Sequence, residues 1–182
     1  VISTKAWVWI IIGSAIGGAL GLVTARRVPM TAIPETVALF NGCGGMSSLL
    51  VAIAVAIFPV TENQVEIGKG IVEIISIAVS IFVGAITFSG SLVAMAKLQG
   101  WLATPAWTQS KFRHAVNISF AVLCLVAAIN LFSQGENSLW LLVIGSSLLG
   151  IGVTLPIGGA DMPVVISLLN SYSGVAAAAA GF

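Results

Sequence analysis

Charged side chains are the scarcest class in this sequence. Only 7% of its 182 residues are Asp, Glu, Lys or Arg, whereas a soluble domain carries about 25%. Hydrophobic residues make up 58% of the chain. A water-soluble core of this length cannot bury so much apolar surface, so the surrounding solvent must be a lipid bilayer. The net charge is +1, without a Lys/Arg cluster, and we predict no nucleic-acid partner.

The residue types that carry most site chemistry are also rare. The sequence has one histidine, His114, and two cysteines, Cys43 and Cys124, and these residues form no metal-binding pattern. Both cysteines lie in apolar segments, which predicts buried thiols rather than a disulfide. No glycine motif typical of a nucleotide site is present, and no nucleophile–base set is evident. We therefore predict neither a metal nor a cofactor site in this chain.

Six apolar segments are long enough to cross a membrane as helices, because a hydrocarbon core of about 30 Å requires roughly 20 helical residues. The predicted fold class is all-α, a polytopic membrane helix bundle that forms one domain over residues 1–182. Its helices are predicted at about 6–25, 34–58, 71–96, 113–132, 139–157 and 163–182. The chain begins with Val1 and stops after an apolar run, and we expect it to be a piece of a longer polypeptide.

Basic residues in the linkers predict the orientation in the membrane. The odd-numbered linkers hold Arg26, Arg27, Lys97, Lys111 and Arg113, whereas the other side holds Lys5 and Lys69. Because cytoplasmic loops are enriched in Lys and Arg, we expect the odd linkers, and with them Asp161, to be cytoplasmic. The even linkers carry Glu62, Glu66 and Glu136 and are expected to face the opposite compartment.

Small residues predict close contacts between helices, since they allow backbones to approach each other. They are Gly13, Gly17 and Gly21 in the first helix, Gly42, Gly44 and Gly45 in the second, and the run 176–180 in the last. We interpret them as packing signals. No internal repeat supports an inverted-repeat transporter.

Polar side chains from different helices are predicted to share one depth. At the helical rise, each lies roughly 9–10 Å inside the nearest cytoplasmic helix end. These residues are Asn41, Ser91, Asn117 and Asn170, with Thr154 placed to join them. One interpretation is a hydrated polar pocket beneath the Asp161 loop. The alternative is interhelical hydrogen bonding that only holds the bundle together.

The last helix carries its polar residues on one face, because Ser167, Asn170, Ser171 and Gly174 follow each other at helical spacing. No predicted helix has an ionisable residue in its middle, and Glu73 lies about one turn inside the face opposite Asp161. Hydroxyls and amides order water but do not titrate near neutral pH. This segment would therefore line a proton route without containing its switch.

Several stretches of the sequence match a known pattern. The longest runs over residues 158–165, continues through Ser167 and 169–174, and ends with 176–182. Further stretches are Ile12-Gly13 through 17–19 to Gly21, Met30-Thr31 with Pro34-Glu35, and 84–91. Together they cover essentially the whole chain, and they resemble the membrane region of the proton-translocating NAD(P)+ transhydrogenase beta subunit.

The resemblance implies an enzyme complex that moves hydride between NADH and NADP+ and couples this transfer to proton movement across a bacterial inner membrane. Soluble domains outside this chain would bind NAD(H) and NADP(H), so this chain alone would carry neither cofactor nor a hydride-transfer site. Membrane helices of an alpha-type subunit would be partners, and the whole complex would be a homodimer. At least one helix would follow Phe182, and more would precede Val1.

The resemblance also implies roles for single residues. Asp161 matches a loop acid near the NADP(H)-binding domain, and Asn170 and Ser91 match polar residues of a proposed proton path. The family pattern has a proton-binding histidine where this sequence has Asn41. We therefore predict that the titrating residue lies on another helix, in a partner chain or a missing segment.

Two other functions remain open at this point. The first is a secondary transporter or channel with a polar pocket in the cytoplasmic third of the membrane. It predicts discontinuous helices, and its only support is Gly145, Gly150 and Gly152 in the fifth helix. The second is a structural bundle that anchors soluble domains, which predicts that Ser91, Asn170 and Asp161 tolerate substitution.

Overall fold

Helices account for all regular structure in the part of the chain that the computed structural model describes, residues 4–58, 70–134 and 136–181. The α-helices are α1 (Thr4–Arg27), α2 (Ile33–Ile57), α3 (Ile71–Leu98), α4 (Phe112–Gln134), α5 (Glu136–Thr154) and α6 (Met162–Ala179). Each is long and apolar enough to cross a membrane. The predicted all-α polytopic architecture is confirmed, and the chain is a multi-pass membrane protein.

The largest boundary errors are of three residues: α5 begins and ends three residues before the predicted 139–157, and α6 ends at Ala179 rather than at 182. Glu136 lies in the first turn of α5, where a carboxylate interacts favourably with the positive end of the helix dipole. Pro156 disfavours helical geometry at the residue before it, and α5 ends at Thr154. The early end leaves the segment from Leu155 to Gly158 free to form a turn.

The chain divides into two compact units, Val1–Ile33 and Pro34–Phe182. The first unit contains α1, whose large apolar side chains are exposed within that unit, for example Trp9 and Ile11. The predicted packing role of Gly13 and its two partners in α1 stays a prediction, as does a single membrane domain over 1–182.

The second unit is organised around α3. Helices α2 and α6 lie antiparallel to α3, whereas α5 runs parallel to it, and α4 packs mainly against α5. One end of this unit is called the Asp161 end: there α3 and α5 finish, α4 and α6 begin, and Gly159 approaches the Lys97 carbonyl. The polar residues predicted to share one depth all lie in the half of the unit nearest this end.

Glycines allow α2 and α3 to touch through their backbones. A Cβ at Gly45 would lie 2.8 Å from the Gly84 carbonyl oxygen, and a Cβ at Gly84 would lie 2.8 Å from the Gly45 carbonyl oxygen. A side chain at either position would therefore collide with main-chain atoms of the other helix. The predicted packing role of Gly42, Gly44 and Gly45 is confirmed, since a Cβ at Gly42 would lie 3.2 Å from the Ser91 Cβ and one at Gly44 would lie 3.2 Å from the Ser173 Oγ.

Two apolar clusters form the core of the second unit. The larger cluster joins α2, α3, α4 and α5 around Ile81, Leu142 and Cys124. The smaller cluster lies at the Asp161 end and joins Ala38, Ala94, Met162 and Ile166. These clusters fix which face of each helix points inward.

The predicted burial of both thiols is wrong for Cys43. Cys124 is buried in the larger cluster, but Cys43 is exposed. The buried face of α2 runs through Asn41, Gly45 and Ser48, and Cys43 lies outside that face. Both cysteines are free. Among the linker charges used to predict orientation, Glu62, Glu66, Lys69 and the side chain of Lys5 lie outside the described residues.

Candidate functional site

A buried hydrogen bond between α2 and α3 joins two of the residues predicted from the sequence. The Asn41 Nδ2 donates to the Ser91 Oγ at 2.9 Å. Asn41 is 8% exposed and Ser91 is 0% exposed. The contact depends on the close approach of these helices, because a Cβ at the neighbouring Gly42 would lie 3.2 Å from the Ser91 Cβ. We call Asn41 and Ser91 the polar pair.

Two buried oxygens next to the polar pair are unsatisfied. Within the described residues, neither Asn41 Oδ1 nor Thr87 Oγ1 has a hydrogen-bond partner. Thr87 lies one helical turn from Ser91 on α3 and is 0% exposed. A buried polar group without a partner costs about 1–3 kcal/mol, and such groups in native proteins require an explanation. This part of the α2–α3 interface therefore contains more buried polar atoms than its one hydrogen bond satisfies.

Other polar residues lie at a similar level but in different interfaces. Thr154 is buried, and a Cβ at Gly90 would lie 2.9 Å from its Oγ1, between α3 and α5. Asn117 is half-buried and donates through Nδ2 to the Gly152 carbonyl at 3.2 Å, between α4 and α5. The structure thus distributes these side chains over three helix contacts. It does not gather them into one chamber within the second unit.

Asn170 does not contact the polar pair. It is exposed on α6, as are its neighbours on the same face, Ser167 and Ser171. The inward face of α6 packs through Met162, Ile166, Leu169 and Ala176. Leu169 lies 3.3 Å from the Cβ position of Gly90, so Asn170 lies near the level of Ser91. Asn170 follows Ile166 by four residues, which places it at the edge of the inward face, where it is exposed. The polar face of α6 is therefore available to a neighbour outside this unit.

Asp161 ends a short 3-10 turn, Gly159–Asp161, that leads directly into α6. Its backbone N–H donates to the Gly158 carbonyl at 3.1 Å, and its side chain makes no capping hydrogen bond. The carboxylate is exposed and lines an open groove with Arg113, His114 and Asn117. Residues 158–161 are called the Asp161 turn. An acid presented in this way can interact with a partner on that side of the bundle.

Lys97 is buried at the Asp161 end, with 7% exposure. Its Nζ donates to Thr104 Oγ1 at 2.8 Å and to the Ile157 carbonyl at 2.6 Å, and it also donates to the Leu155 carbonyl. Lys97 was used in the sequence analysis as an orientation charge and as the marker of a helix end, and this arrangement was not predicted. Its place in the last turn of a helix, where cations cap carbonyls, was the one available signal.

At the other end of the second unit, a cavity of about 170 Å³ separates α2, α3 and α6. Glu73, Ser76 and Ser80 of α3 line it, with apolar residues of α2 and the last alanines of α6. Ser80 is buried, and its Oγ donates to the Ala176 carbonyl at 3.3 Å. The acid and two hydroxyls make this cavity the polar feature of that end.

The chemistry available to these residues is hydrogen bonding rather than bond-making. Amide and hydroxyl groups donate, accept and order water. Across the described residues, no cluster of His, Cys, Asp and Glu that would hold a metal ion is found. The side chains of the polar pair can donate hydrogen bonds to, and accept them from, a small molecule such as water. The exposed carboxylate of the Asp161 turn is accessible to a binding partner.

Comparison with known proteins identifies the family. The family model described as NAD(P) transhydrogenase beta subunit matches residues 1–182. The chain is 42% identical over 181 residues to NAD(P) transhydrogenase subunit beta of Rhodospirillum rubrum, and equally identical to the protein of that name from one strain of this species. The aligned region is 99% of this chain and 39% of each relative. The chain therefore belongs to the NAD(P) transhydrogenase beta subunit family.

Proposed function

We propose that this chain is the proton-conducting membrane module of a transhydrogenase, and that it couples proton movement to hydride transfer between NADH and NADP+. The transfer itself takes place in soluble domains that bind the two nucleotides. The observation that carries this proposal is the polar pair, because Asn41 and Ser91 meet in the interior of a membrane bundle beside two unsatisfied oxygens. Polar groups in such places are costly and mark ion or proton pathways.

A row of polar residues along α3 supports a route across the bundle. Glu73, Ser76, Ser80, Thr87 and Ser91 follow one another at helical spacing, so they share one face of α3. Ser91 belongs to the polar pair, and Glu73 reaches the cavity at the opposite end. Water ordered by these side chains would connect the two ends of the bundle.

The proposed switch is a titratable side chain supplied by another chain. Asn41 cannot take up a proton near neutral pH, although the family pattern resembled here has histidine at this position. The exposed polar face of α6, with Ser167 and Asn170, offers a surface to which a membrane helix of an alpha-type subunit would bind. Asn170 would then line the proton path between α6 and this partner helix.

Coupling would operate through the Asp161 turn. Protonation of the switch shifts the population of two states of the bundle, and the turn favours one state of the NADP(H)-binding domain. This requires Asp161 and the odd-numbered linkers to be cytoplasmic. The proposed setting is a bacterial inner membrane, with the whole complex forming a homodimer.

The transporter alternative gains no support from the helices. Each of α1 to α6 is continuous over its described residues. The glycines of α5 allow close packing, because an added Cβ would collide with Cys124 at Gly145, with Ile86 at Gly150 and with Asn117 at Gly152. A purely structural bundle would not explain the unsatisfied oxygens at the polar pair.

The experiment that tests the proposal compares two serines in the full complex, reconstituted in vesicles with both nucleotides present. Ser91→Ala removes the acceptor of Asn41, whereas Ser119→Ala removes an exposed hydroxyl of α4 that bonds only to the Ala115 carbonyl. We expect Ser91→Ala to reduce proton pumping by about tenfold, within the usual range of coupling free energies, with nucleotide binding retained. Equal pumping by the two variants would contradict the proposed path.

A further inference from the structure

Lys97 is fully engaged at the end of α3. An ammonium group has three N–H donors, and the three acceptors at Lys97 are the Thr104 hydroxyl and the carbonyls of Leu155 and Ile157. A buried lysine that satisfies all its donors in this way is held in one geometry. It binds the end of α3 to the polypeptide that follows α5.

The two carbonyls belong to the chain just beyond the end of α5 at Thr154. The last carbonyls of a helix have no partner within that helix and form the negative end of its dipole. Lys97 places a cation near this end and donates to two carbonyls that follow it. The segment containing Pro156 therefore takes its path from Lys97 rather than from continued helix.

The Asp161 turn follows this segment directly. On its α5 side the turn is held through Ile157 by Lys97, and on its α6 side Met162 is buried against Ala38 and Ala94. Between these two attachments the backbone N–H of Asp161 closes the turn onto Gly158. The position of the exposed carboxylate is consequently set by Lys97 and by the packing of Met162.

We infer that Lys97 is a positioning residue that links the polar pair to the Asp161 turn. This inference rests on the proposed function. Ser91 and Lys97 are six residues apart on α3, about 9 Å along one continuous helix. A displacement of α3 at Ser91 is carried by the helix to Lys97 and, through its hydrogen bonds, to the Leu155 and Ile157 carbonyls. Lys97 thus joins the two parts of the mechanism without contacting a nucleotide or the proton path.

The test uses Lys97→Met in the full complex, with Lys111→Met as the matched control. Methionine keeps an unbranched stem of similar length but donates no hydrogen bond, and Lys111 is an exposed lysine near the same end of the bundle. We expect Lys97→Met to lower proton pumping per hydride transferred by about tenfold, a typical coupling effect. Lys111→Met leaves this ratio unchanged. If Lys97→Met does not assemble, Lys97→Gln, which retains amide donors, replaces it and is expected to show a smaller loss in the same direction.

A second readout reports the turn itself. A spin label at Ala160→Cys, an exposed position within the Asp161 turn, is introduced after replacement of other reactive cysteines. We expect the label to become more mobile in Lys97→Met than in the control. A general loss of stability would lower pumping and hydride transfer together, whereas lost positioning raises turn mobility and changes their ratio.

Asp161→Asn separates failure of this inference from failure of the proposed function. If Asp161→Asn weakens coupling but Lys97→Met changes neither coupling nor label mobility, the role of Lys97 is wrong and the proposed function stands. If Asp161→Asn leaves pumping and nucleotide release unchanged, the relay through the turn is wrong. An increase in label mobility with normal coupling would also overturn the inference, because coupling would then not depend on a fixed position of the Asp161 turn.

Discussion

The two ends of the second unit differ in how their polar groups are held. At the Asp161 end, Lys97 is buried with three acceptors, and Asn41 bonds to Ser91. At the other end, Glu73 lines a cavity of about 170 Å³, and Ser80 bonds to a single carbonyl. Along α3 the Asp161 end is tightly connected, and the open groove at that end lies between α4 and α5, whereas at the opposite end the space lies beside α3 itself, next to Glu73. Under the proposed function, conformational control is assigned to the Asp161 end and access for protons and water to the opposite end.

The physical basis of the difference is the spacing between helices. Gly42 and Gly45 bring α2 close to α3 beside the polar pair, and Gly150 brings α5 close to α3. Toward the opposite end the cavity is lined by the larger side chains Val51 and Val55 of α2. Close backbone contact lets short polar side chains reach one another, and wider spacing leaves room for water, which needs two to four polar partners.

The strongest way to break the comparison is to force α3 and α5 apart near the Asp161 end. A Cβ at Gly150 would lie 2.7 Å from the Ile86 carbonyl oxygen, so Gly150→Val collides with main-chain atoms. We expect a loss of about 1–3 kcal/mol or more, seen as a lower melting temperature of the purified complex and loss of pumping. Ile144→Val, at an exposed position of the same helix as Gly150, is the control and should behave as the unmodified protein. Normal stability of Gly150→Val would show that the tight contact is not required.

An effect confined to proton flux, without loss of stability, is expected from Asn170→Leu, at an exposed position of α6. The substitution removes no hydrogen bond with a described residue of the second unit, so this unit should remain folded. We expect proton flux in reconstituted vesicles to be lost while nucleotide binding stays normal, because the proposed path is completed from this face. Val164→Leu, an exposed apolar exchange on the same helix, serves as the control. Unchanged flux in Asn170→Leu would restrict the path to the α2–α3 interface.

The smallest effect is expected from Glu73→Gln, which keeps the size of the side chain but removes its titration. Because the cavity at that end has room for water, we expect pumping to fall only about twofold, which is less than the roughly fivefold lower limit of typical coupling effects. The measurement is the initial rate of vesicle acidification, compared with Glu136→Gln at the exposed start of α5. A loss larger than that of Ser91→Ala would reverse the comparison and place the controlling group at the cavity.

Much of the site was predictable as residue types, but not as contacts. The shared depth of Asn41 and Ser91 was predicted by counting from Pro34 and Lys97, and the structure joins these two side chains by a hydrogen bond. Asn117, Thr154 and Asn170 have comparable depths but lie in other interfaces or on the surface. Depth is a property of one helix, whereas direction depends on which neighbours that helix packs against.

The amino-acid sequence by itself determined that the chain spans a membrane as six helices, since hydropathy sums over contiguous residues and needs no knowledge of neighbours. It also contained the likeness to the family to which the chain belongs. Only the tertiary structure decided that Lys97 is buried and donates to three acceptors, that Asn170 is exposed, and that Thr87 has an unsatisfied oxygen. These outcomes depend on helix rotation and approach, which are set by contacts between residues far apart in the chain.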